Sequence, residues 1–174
     1  DIAIKFNNDF KVDNFLTVPE PLIQKQFSRI MSLKDGLKKM SKSEISDLSR
    51  INLMDEKDVM VNKIKKAKTD THPIPSSIGG LQERPEAKNL LGIYSSLKDS
   101  TLEQSIKEFS GKNFSELKEN LSQVLVDKII PISLEIKKLL TEKSYLDQIL
   151  LEGSRKAENI AAEKLKKIQK IIGF

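Results

Sequence analysis

The sequence predicts a mainly α-helical protein that begins with a short mixed segment, the closing edge of a parallel α/β sheet. Three observations predict this fold. After residue 54, apolar residues recur every three or four positions, and helix-start signals open several of these segments. Before residue 55, two short apolar runs have the length of strands. We therefore predict two parts, residues 1–54 and residues 55–174.

The first part combines a helix end with two extended runs. Residues 1–6 have the pattern of the last turns of a helix, so we expect the chain to be the C-terminal part of a longer protein. Residues 14–18 and 30–33 are predicted to be extended, the second run as a strand. In doubly wound sheets ligands bind beyond the carboxyl ends of the strands, so a site is expected after residue 33.

The second part opens with an amphipathic helix. Asp55, with another acid three positions later, is the expected cap of a helix that ends near residue 68. Its buried face is predicted to consist of Met60, Ile64 and Ala67.

A loop and three further helix starts follow. Residues 69–84 contain two prolines and two glycines without a helical period, so they are predicted to form a long loop. Pro85 suits the first position of a helix that ends near residue 97. Two pairs have capping-box spacing and mark two more helix starts: Thr101 with Gln104, and Asn113 with Glu116.

Two long helices complete the predicted fold. The first spans about residues 114–140, and Pro131 is expected to kink it because proline cannot donate the hydrogen bond to the Asp127 carbonyl. Its apolar stripe consists of Phe114, Leu117, Leu121, Val124, Leu125, Ile129, Ile132, Ile136 and Leu139. The second is expected from Ser144 to about residue 172, with a stripe of Leu146, Ile149, Leu150, Gly153, Ala157, Ile160, Ala161, Leu165 and Ile168.

Composition excludes several classes of chemistry. The 174 residues carry a formal net charge of +5 and a pI near 9.2, which fits a nucleic-acid partner without being diagnostic. Without cysteine and with one histidine, the chain has no thiolate zinc site and no disulfide framework. His72 precedes a proline in the predicted loop, where a solvated histidine is the favoured interpretation. No apolar run is long enough to span a bilayer, so we expect a soluble, cytoplasmic protein.

The run Lys39-Met40-Ser41-Lys42-Ser43 is the one stretch whose residues indicate chemistry rather than packing. The turn signal Asp35-Gly36 places it on a loop beyond the predicted strand. From the residues alone, a solvated basic loop is the simpler interpretation. The alternative is a pair of mobile lysines that follow a polyphosphate, since lysine carries a compact charge on a flexible stem.

A resemblance to a known family favours the second interpretation. The run at residues 39–43 looks like the signature loop of class I aminoacyl-tRNA synthetases. The surrounding chain is similar in order to bacterial tryptophanyl-tRNA synthetases over essentially its whole length. The matching segments include Val18-Pro19-Glu20-Pro21, Arg29 to Ser43, Lys63 to Asp70, Arg84-Pro85-Glu86, Asn89 to Tyr94, Gly111 to Phe114 and Gly153 to Ala157. One departure is Glu44-Ile45, where the family usually has Asp-Pro.

The resemblance implies roles for the loop residues. Lys42 is expected to contact the ATP phosphates and to stabilise charge as pyrophosphate leaves, with a similar but weaker role for Lys39. Together these two lysines are the predicted catalytic residues. The full predicted ATP-binding set is Ile30 and Met40, which would border the adenine, with Lys39, Ser41, Lys42 and Ser43 at the phosphates.

The resemblance also implies a reaction and its partners. The parent enzyme is expected to activate tryptophan with ATP and to transfer it to tRNA(Trp), as a homodimer. Mg²⁺ should arrive on the ATP phosphates, because no carboxylate cluster has the spacing of a protein metal site. Residues 1–54 would end the Rossmann-like catalytic domain, and residues 55–174 would form the helical anticodon-binding domain. The chain alone, without an amino-acid pocket, is expected to be inactive.

Two alternatives remain open. A tyrosyl-tRNA synthetase shares the loop chemistry, and a non-enzymatic helical module that binds RNA or protein would need only a basic loop. A second basic group does not separate them: for Lys63, Lys65, Lys66 and Lys68, a solvated helix face is favoured over an RNA contact. No residue is assigned to tRNA.

Overall fold

Helices dominate the structure, a computed structural model that describes residues 1–23 and 27–174. Over these residues it has six α-helices, two short 3-10 helices and no strand. The prediction of a mainly α-helical protein is therefore confirmed. The helices are α1 (Ile2–Asp9), α2 (Lys57–Lys65), α3 (Pro85–Leu97), α4 (Leu102–Phe109), α5 (Phe114–Thr141) and α6 (Lys143–Ile172).

The chain divides into two compact units. One consists of Asp1–Ile23 together with Leu139–Phe174, and the other of Gln24–Lys138. The second unit contains residues 39–43 and helices α2 to α4. The functional boundary that we predict after residue 54 is a different division, and it stays a prediction.

The hydrophobic core of the second unit forms where α3 meets its neighbouring helices. Burial of these apolar side chains is the main force that holds the unit together. Tyr94 and Phe109 meet edge to face with ring centroids 5.0 Å apart. The predicted buried face of α2 is confirmed. The fully buried core residues include Met60, Ile64, Leu81, Ala87, Leu90, Leu91, Ile106, Leu117 and Leu121.

The signals for α3 and α4 are confirmed in the structure. Pro85 occupies the first turn of α3, which ends at the predicted Leu97. At α4 the Thr101 hydroxyl accepts a hydrogen bond from the Gln104 N–H at 3.2 Å, and the Gln104 side chain accepts one from the Thr101 N–H at 2.8 Å. This reciprocal pair is a complete capping box.

The predicted N-cap of α2 is wrong by one residue. The helix begins at Lys57 with Glu56 as its N-cap, and Asp55 does not cap it. The Asp55 carboxylate instead accepts hydrogen bonds from the Asn52 N–H and from the Lys63 ammonium group. A buried cation is therefore the stronger partner for this carboxylate.

Helix α5 has the predicted extent but a shorter buried stripe. It runs without interruption through Pro131. In the stripe Phe114, Leu117, Leu121 and Leu125 are buried and Val124 is partly buried, whereas Ile132 is 47% exposed, so the prediction for Ile132 is wrong. Beyond Ile132 the buried residue is Ser133, at 2% exposed, which lies outside the predicted stripe.

Helix α6 also forms over the predicted range, with Glu142 rather than Ser144 at its N-cap. Its residues Glu152 and Lys156 form an ion pair at 2.7 Å. Within the described residues the predicted apolar stripe of α6 has no buried member, and nothing lies within 4 Å of a Cβ placed on Gly153.

The two predicted extended runs are corrected by the structure. In the first, Asn14 has a φ of 44°, which is left-handed rather than extended backbone. In the second, residues 30–33 make one isolated antiparallel bridge, Met31 to Lys39, and no parallel pairing within the described chain. The backbone groups that a sheet would use are bonded otherwise: the Leu33 N–H donates to the Ser49 carbonyl, and the Leu33 carbonyl accepts from the Lys68 N–H.

Candidate functional site

A narrow hairpin brings residues 30 and 40 together. The Met40 N–H donates to the Ile30 carbonyl at 3.0 Å, and the Ser32 N–H donates to the Lys38 carbonyl at 2.8 Å. Lys39 lies between these two bonds, opposite Met31. The structure therefore joins three of the predicted site residues, namely Ile30, Lys39 and Met40.

The hairpin turns at Asp35-Gly36, as predicted. This turn lies against the start of α3. The Asp35 carbonyl and side chain accept hydrogen bonds from the Lys38 and Leu37 N–H groups at 3.1 and 3.0 Å. A Cβ placed on Gly36 would lie 2.6 Å from the backbone nitrogen of Glu86. Only glycine permits this close approach, so the turn is packed directly on the first turn of α3.

A buried side chain from α3 holds the first arm of the hairpin. The Asn89 Oδ1 accepts from the Met31 N–H at 2.9 Å, and its Nδ2 donates to the Met31 carbonyl at 2.8 Å. Asn89 is only 3% exposed. No motif in the sequence predicted a role for this residue. The available signal was a single amide in the apolar run Asn89-Leu90-Leu91, because buried amides need hydrogen-bond partners.

Beyond the hairpin, the chain turns at residues 41–44. The hydroxyls of Ser41 and Ser43 lie 2.8 Å apart, and the Ser43 N–H donates to the Ser41 hydroxyl at 3.3 Å. The Glu44 N–H donates to the Ser41 carbonyl at 3.4 Å. These local bonds fix the turn that separates Lys39 from the residues after Lys42.

Lys39 and Lys42 present exposed ammonium groups. Both side chains are exposed, and within residues 1–23 and 27–174 neither ammonium group has a hydrogen-bond or ion-pair partner. A cation without a protein partner remains available for an external anion. Met40, between them, is partly buried against the core and ties the backbone of this segment to the second unit.

The segment after Glu44 is held by Arg50. Its guanidinium donates to the Glu44 carbonyl at 2.9 Å and to the Asn52 side chain at 3.2 Å. It also forms an ion pair with Asp47 at 3.0 Å. Arg50 therefore anchors the exit of the loop, where Glu44-Ile45 replaces the family's Asp-Pro.

Lys63 corrects the prediction of a solvated basic face on α2. Its side chain is 2% exposed, and its ammonium group lies 2.6 Å from carboxylate oxygens of both Asp47 and Asp55. The hydrogen bond from Lys63 lowers the pKa of Asp47. Lys68 pairs with Glu86 at 2.8 Å, whereas Lys65 and Lys66 are exposed as predicted.

The long loop at residues 69–84 is tied to α3 by Arg84. The guanidinium makes two hydrogen bonds to the Asp70 carboxylate, at 2.7 and 2.9 Å. It also donates to the carbonyls of His72 and Pro73. His72 itself is exposed, which agrees with the predicted solvated histidine.

Two further observations concern metals and membranes. In the part of the chain that the structure describes, no three His, Cys, Asp or Glu side chains come close enough together to hold a metal ion. None of the described helices is both long enough and apolar enough to cross a bilayer.

Comparison with known proteins defines the class of this chain. A sequence profile of the family "tRNA synthetases class I (W and Y)" matches residues 1–129. This match covers more than half of the chain, so the chain belongs to that family of class I tRNA synthetases.

Individual relatives then narrow the similarity to the tryptophan branch. The chain is 42% identical to tryptophan--tRNA ligase of Brucella melitensis and 44% identical to that of Agrobacterium fabrum, over 100% of the chain and 54% of each relative. It is 45% identical to tryptophan--tRNA ligase of Rickettsia conorii, over 100% of the chain and 52% of that relative. The chain therefore spans about half the length of these curated relatives.

Solved structures share the fold. The crystal structure of tryptophanyl-tRNA synthetase from Mycoplasma pneumoniae matches 100% of the chain and 53% of its own length, with a TM-score of 0.81 and 28% identity. Tryptophanyl-tRNA synthetase from Campylobacter jejuni, crystallised with ADP and tryptophan, matches with a TM-score of 0.66 at 24% identity. This match covers 100% of the present chain and 52% of the Campylobacter jejuni chain. This second likeness shows the fold alone.

Proposed function

We propose that this chain carries the phosphate-binding loop of an enzyme that activates tryptophan with ATP and transfers it to tRNA(Trp). One observation carries the proposal. In a class I tRNA synthetase, the segment at residues 39–43 presents two exposed ammonium groups, Lys39 and Lys42, that have no partner among the described residues. The curated names of the relatives support tryptophan as the amino acid.

The proposed chemistry needs cations at the ATP phosphates. The tryptophan carboxylate attacks the α-phosphorus, the bond to the bridging oxygen breaks, and pyrophosphate leaves with an aminoacyl-adenylate as the other product. Negative charge grows on the departing phosphates during this step. Lys42 stabilises that charge, with Lys39 as a second contact, because each ammonium group can reach an anion without first breaking an ion pair to any described residue.

The remaining loop residues shape the nucleotide site in this proposal. Ile30 is 41% exposed and its carbonyl is bonded to Met40, so both residues lie beside Lys39 and can border the adenine. The hydroxyls of Ser41 and Ser43 bond each other and can donate to a phosphate instead. Mg²⁺ is proposed to enter on the ATP phosphates.

The proposal extends to the complete protein. Residues 1–54 are proposed to end the Rossmann-like catalytic domain, and residues 55–174 to form the helical domain that meets the tRNA anticodon. The enzyme is proposed to be a cytoplasmic homodimer. The amino-acid pocket is proposed to lie outside this chain, so the chain alone is expected to lack ligase activity.

Pyrophosphate exchange in the full-length protein tests the proposal. ATP is formed from labelled pyrophosphate only when an amino acid is activated, so tryptophan and tyrosine are supplied separately. Exchange with tryptophan alone supports the proposal. Exchange with tyrosine alone identifies a tyrosine enzyme, and exchange with neither amino acid favours a helical binding module.

A further inference from the structure

We infer that Asn89 is a positioning residue that sets the place of Lys39 through the backbone of Met31. This inference rests on the proposed function and assigns it a further residue. Asn89 lies on α3 and does not touch the proposed nucleotide itself. Its effect passes through the first arm of the hairpin.

The contact between Asn89 and Met31 resembles the pairing of one more strand. The amide of Asn89 bonds both polar groups of one residue, the Met31 N–H at 2.9 Å and the Met31 carbonyl at 2.8 Å. A neighbouring strand would make the same two bonds. A side chain from a helix therefore replaces the strand that the backbone of Met31 lacks within the described chain.

A short chain of contacts then leads from Met31 to Lys39. Met31 lies opposite Lys39 in an isolated antiparallel bridge. On either side of this pair, the Met40 N–H bonds the Ile30 carbonyl, and the Ser32 N–H bonds the Lys38 carbonyl. Moving Met31 therefore moves the backbone of Lys39 with it. Lys42 lies beyond these bonds, in the turn that Ser41 forms.

The surroundings of Asn89 point to a role other than packing. The side chain is 3% exposed and precedes Leu90 and Leu91 in the core helix. A buried amide stabilises a core less than an apolar side chain does unless both of its polar groups are bonded. Both groups of Asn89 are bonded to Met31, so the hairpin accounts for the amide at this position.

The first test measures the clamp without any catalytic readout. Hydrogen exchange of residues 30–40 is followed in the full-length protein, in the wild type and in Asn89→Ala. We expect faster exchange across the hairpin in the variant, because the Met31 N–H loses its acceptor. The control is Asn120→Ala, which removes an exposed amide that donates to the Glu116 carbonyl on the same helix, α5. Unchanged exchange in Asn89→Ala would overturn the inference, whatever reaction the protein catalyses.

The second test separates positioning from folding. We expect Asn89→Ala to lower kcat for tryptophan-dependent pyrophosphate exchange by between about tenfold and a hundredfold, since small misplacements of a catalytic group have effects of that size. The KM for tryptophan should stay within about twofold, because no contact to the amino acid is removed. Asn89→Asp has the same shape and keeps the acceptor for Met31, so it carries the test if Asn89→Ala does not fold. Unfolding of both variants would contradict the inference, since it would assign Asn89 to the fold.

A double-mutant cycle identifies the residue through which Asn89 acts. In a Lys39→Ala background, Asn89→Ala should lower kcat much less than it does in the wild type, because the group that it positions is already gone. Equal losses in the two backgrounds would show that Asn89 does not act through Lys39. Absence of tryptophan-dependent pyrophosphate exchange in the wild type would refute the proposed function. The hydrogen-exchange test of the contact between Asn89 and Met31 would remain valid in that case.

Discussion

Lys42 and Lys63 are both lysines near the loop, yet their ammonium groups have opposite surroundings. Lys63 is enclosed and bonded to two carboxylates, whereas Lys42 is exposed and has no partner among the described residues. A buried cation needs such partners because the loss of water costs several kcal/mol. Lys63 therefore stabilises the structure, whereas the ammonium group of Lys42 is available to bind a ligand.

Replacing Lys63 by methionine should destabilise the protein by about 3 kcal/mol, because the mostly buried Asp55 carboxylate then lacks its cation. The free energy of unfolding, measured by urea denaturation, checks this value. The matched control is Lys65→Met on the same helix, where the side chain is exposed and the change should stay within about 0.5 kcal/mol. Equal effects of the two substitutions would contradict the structural role of Lys63.

The Asp70–Arg84 pair makes a prediction about acid stability. Burial opposes ionisation of Asp70, but the hydrogen bonds from Arg84 and from the His72 N–H outweigh it and lower the pKa of Asp70 below its ordinary value of 3.8. A carboxyl group whose pKa is lower in the folded state than in the unfolded state stabilises the protein fully at a pH above the unfolded-state pKa. This stabilisation is lost as the pH falls through the folded-state pKa.

Asp70→Asn should therefore lose about 1 kcal/mol at neutral pH and show a smaller further loss on acidification than the wild type. Unfolding free energies at neutral pH and near pH 3 provide the comparison. Asp147→Asn, at an exposed position on α6, is the control and should leave the acid profile unchanged. An acid profile for Asp70→Asn that matches the wild type would contradict the assignment.

Residue types alone did not reveal which polar groups are buried. The four lysines between residues 63 and 68 are the residue type expected on a solvated helix face. Only the fold shows that the Lys63 side chain lies against Asp47 and Asp55. Asn89 was missed for the same reason, since its partner Met31 is 58 positions away in the sequence. The exposed positions of Lys39 and Lys42, by contrast, agree with the predicted loop.

At the scale of elements, helices with local signals were predicted well and the strand was not. Pro85 and the pair Thr101–Gln104 specify helix starts through contacts within one turn. A strand depends instead on partners elsewhere in the chain, and the backbone of residues 31–33 is bonded by Asn89, Ser49 and Lys68. Apolar composition at residues 30–33 could not reveal those partners.

The capping box of α4 should contribute measurably to stability. Thr101→Ala removes the acceptor for the Gln104 N–H and should lower the free energy of unfolding by about 1 kcal/mol. Urea denaturation measures the loss. Thr71→Ala, at an exposed position in the loop before α3, should have little effect. If both substitutions have the same effect, the hydroxyl of Thr101 does not act as a cap.

At the scale of the whole molecule, the chain has the fold and family membership of a class I tRNA synthetase but about half the length of its curated relatives. The family could be predicted from the sequence because segments that resemble those of the family follow one another in order along essentially the whole chain. The predicted domain boundary and nucleotide contacts depend on chemistry beyond these residues, so they stay predictions. Activity is accordingly a property to measure in the complete protein.

The rate of adenylate formation in Lys42→Ala tests the central claim most directly. In the full-length protein under single-turnover conditions, we expect this variant to form tryptophanyl-adenylate about a hundredfold more slowly than the wild type, with a nearly unchanged KM for tryptophan. Lys34→Ala, which removes the same charge from an exposed position in the hairpin, should react at close to the wild-type rate. A wild-type rate in Lys42→Ala would contradict the role of this lysine at the ATP phosphates.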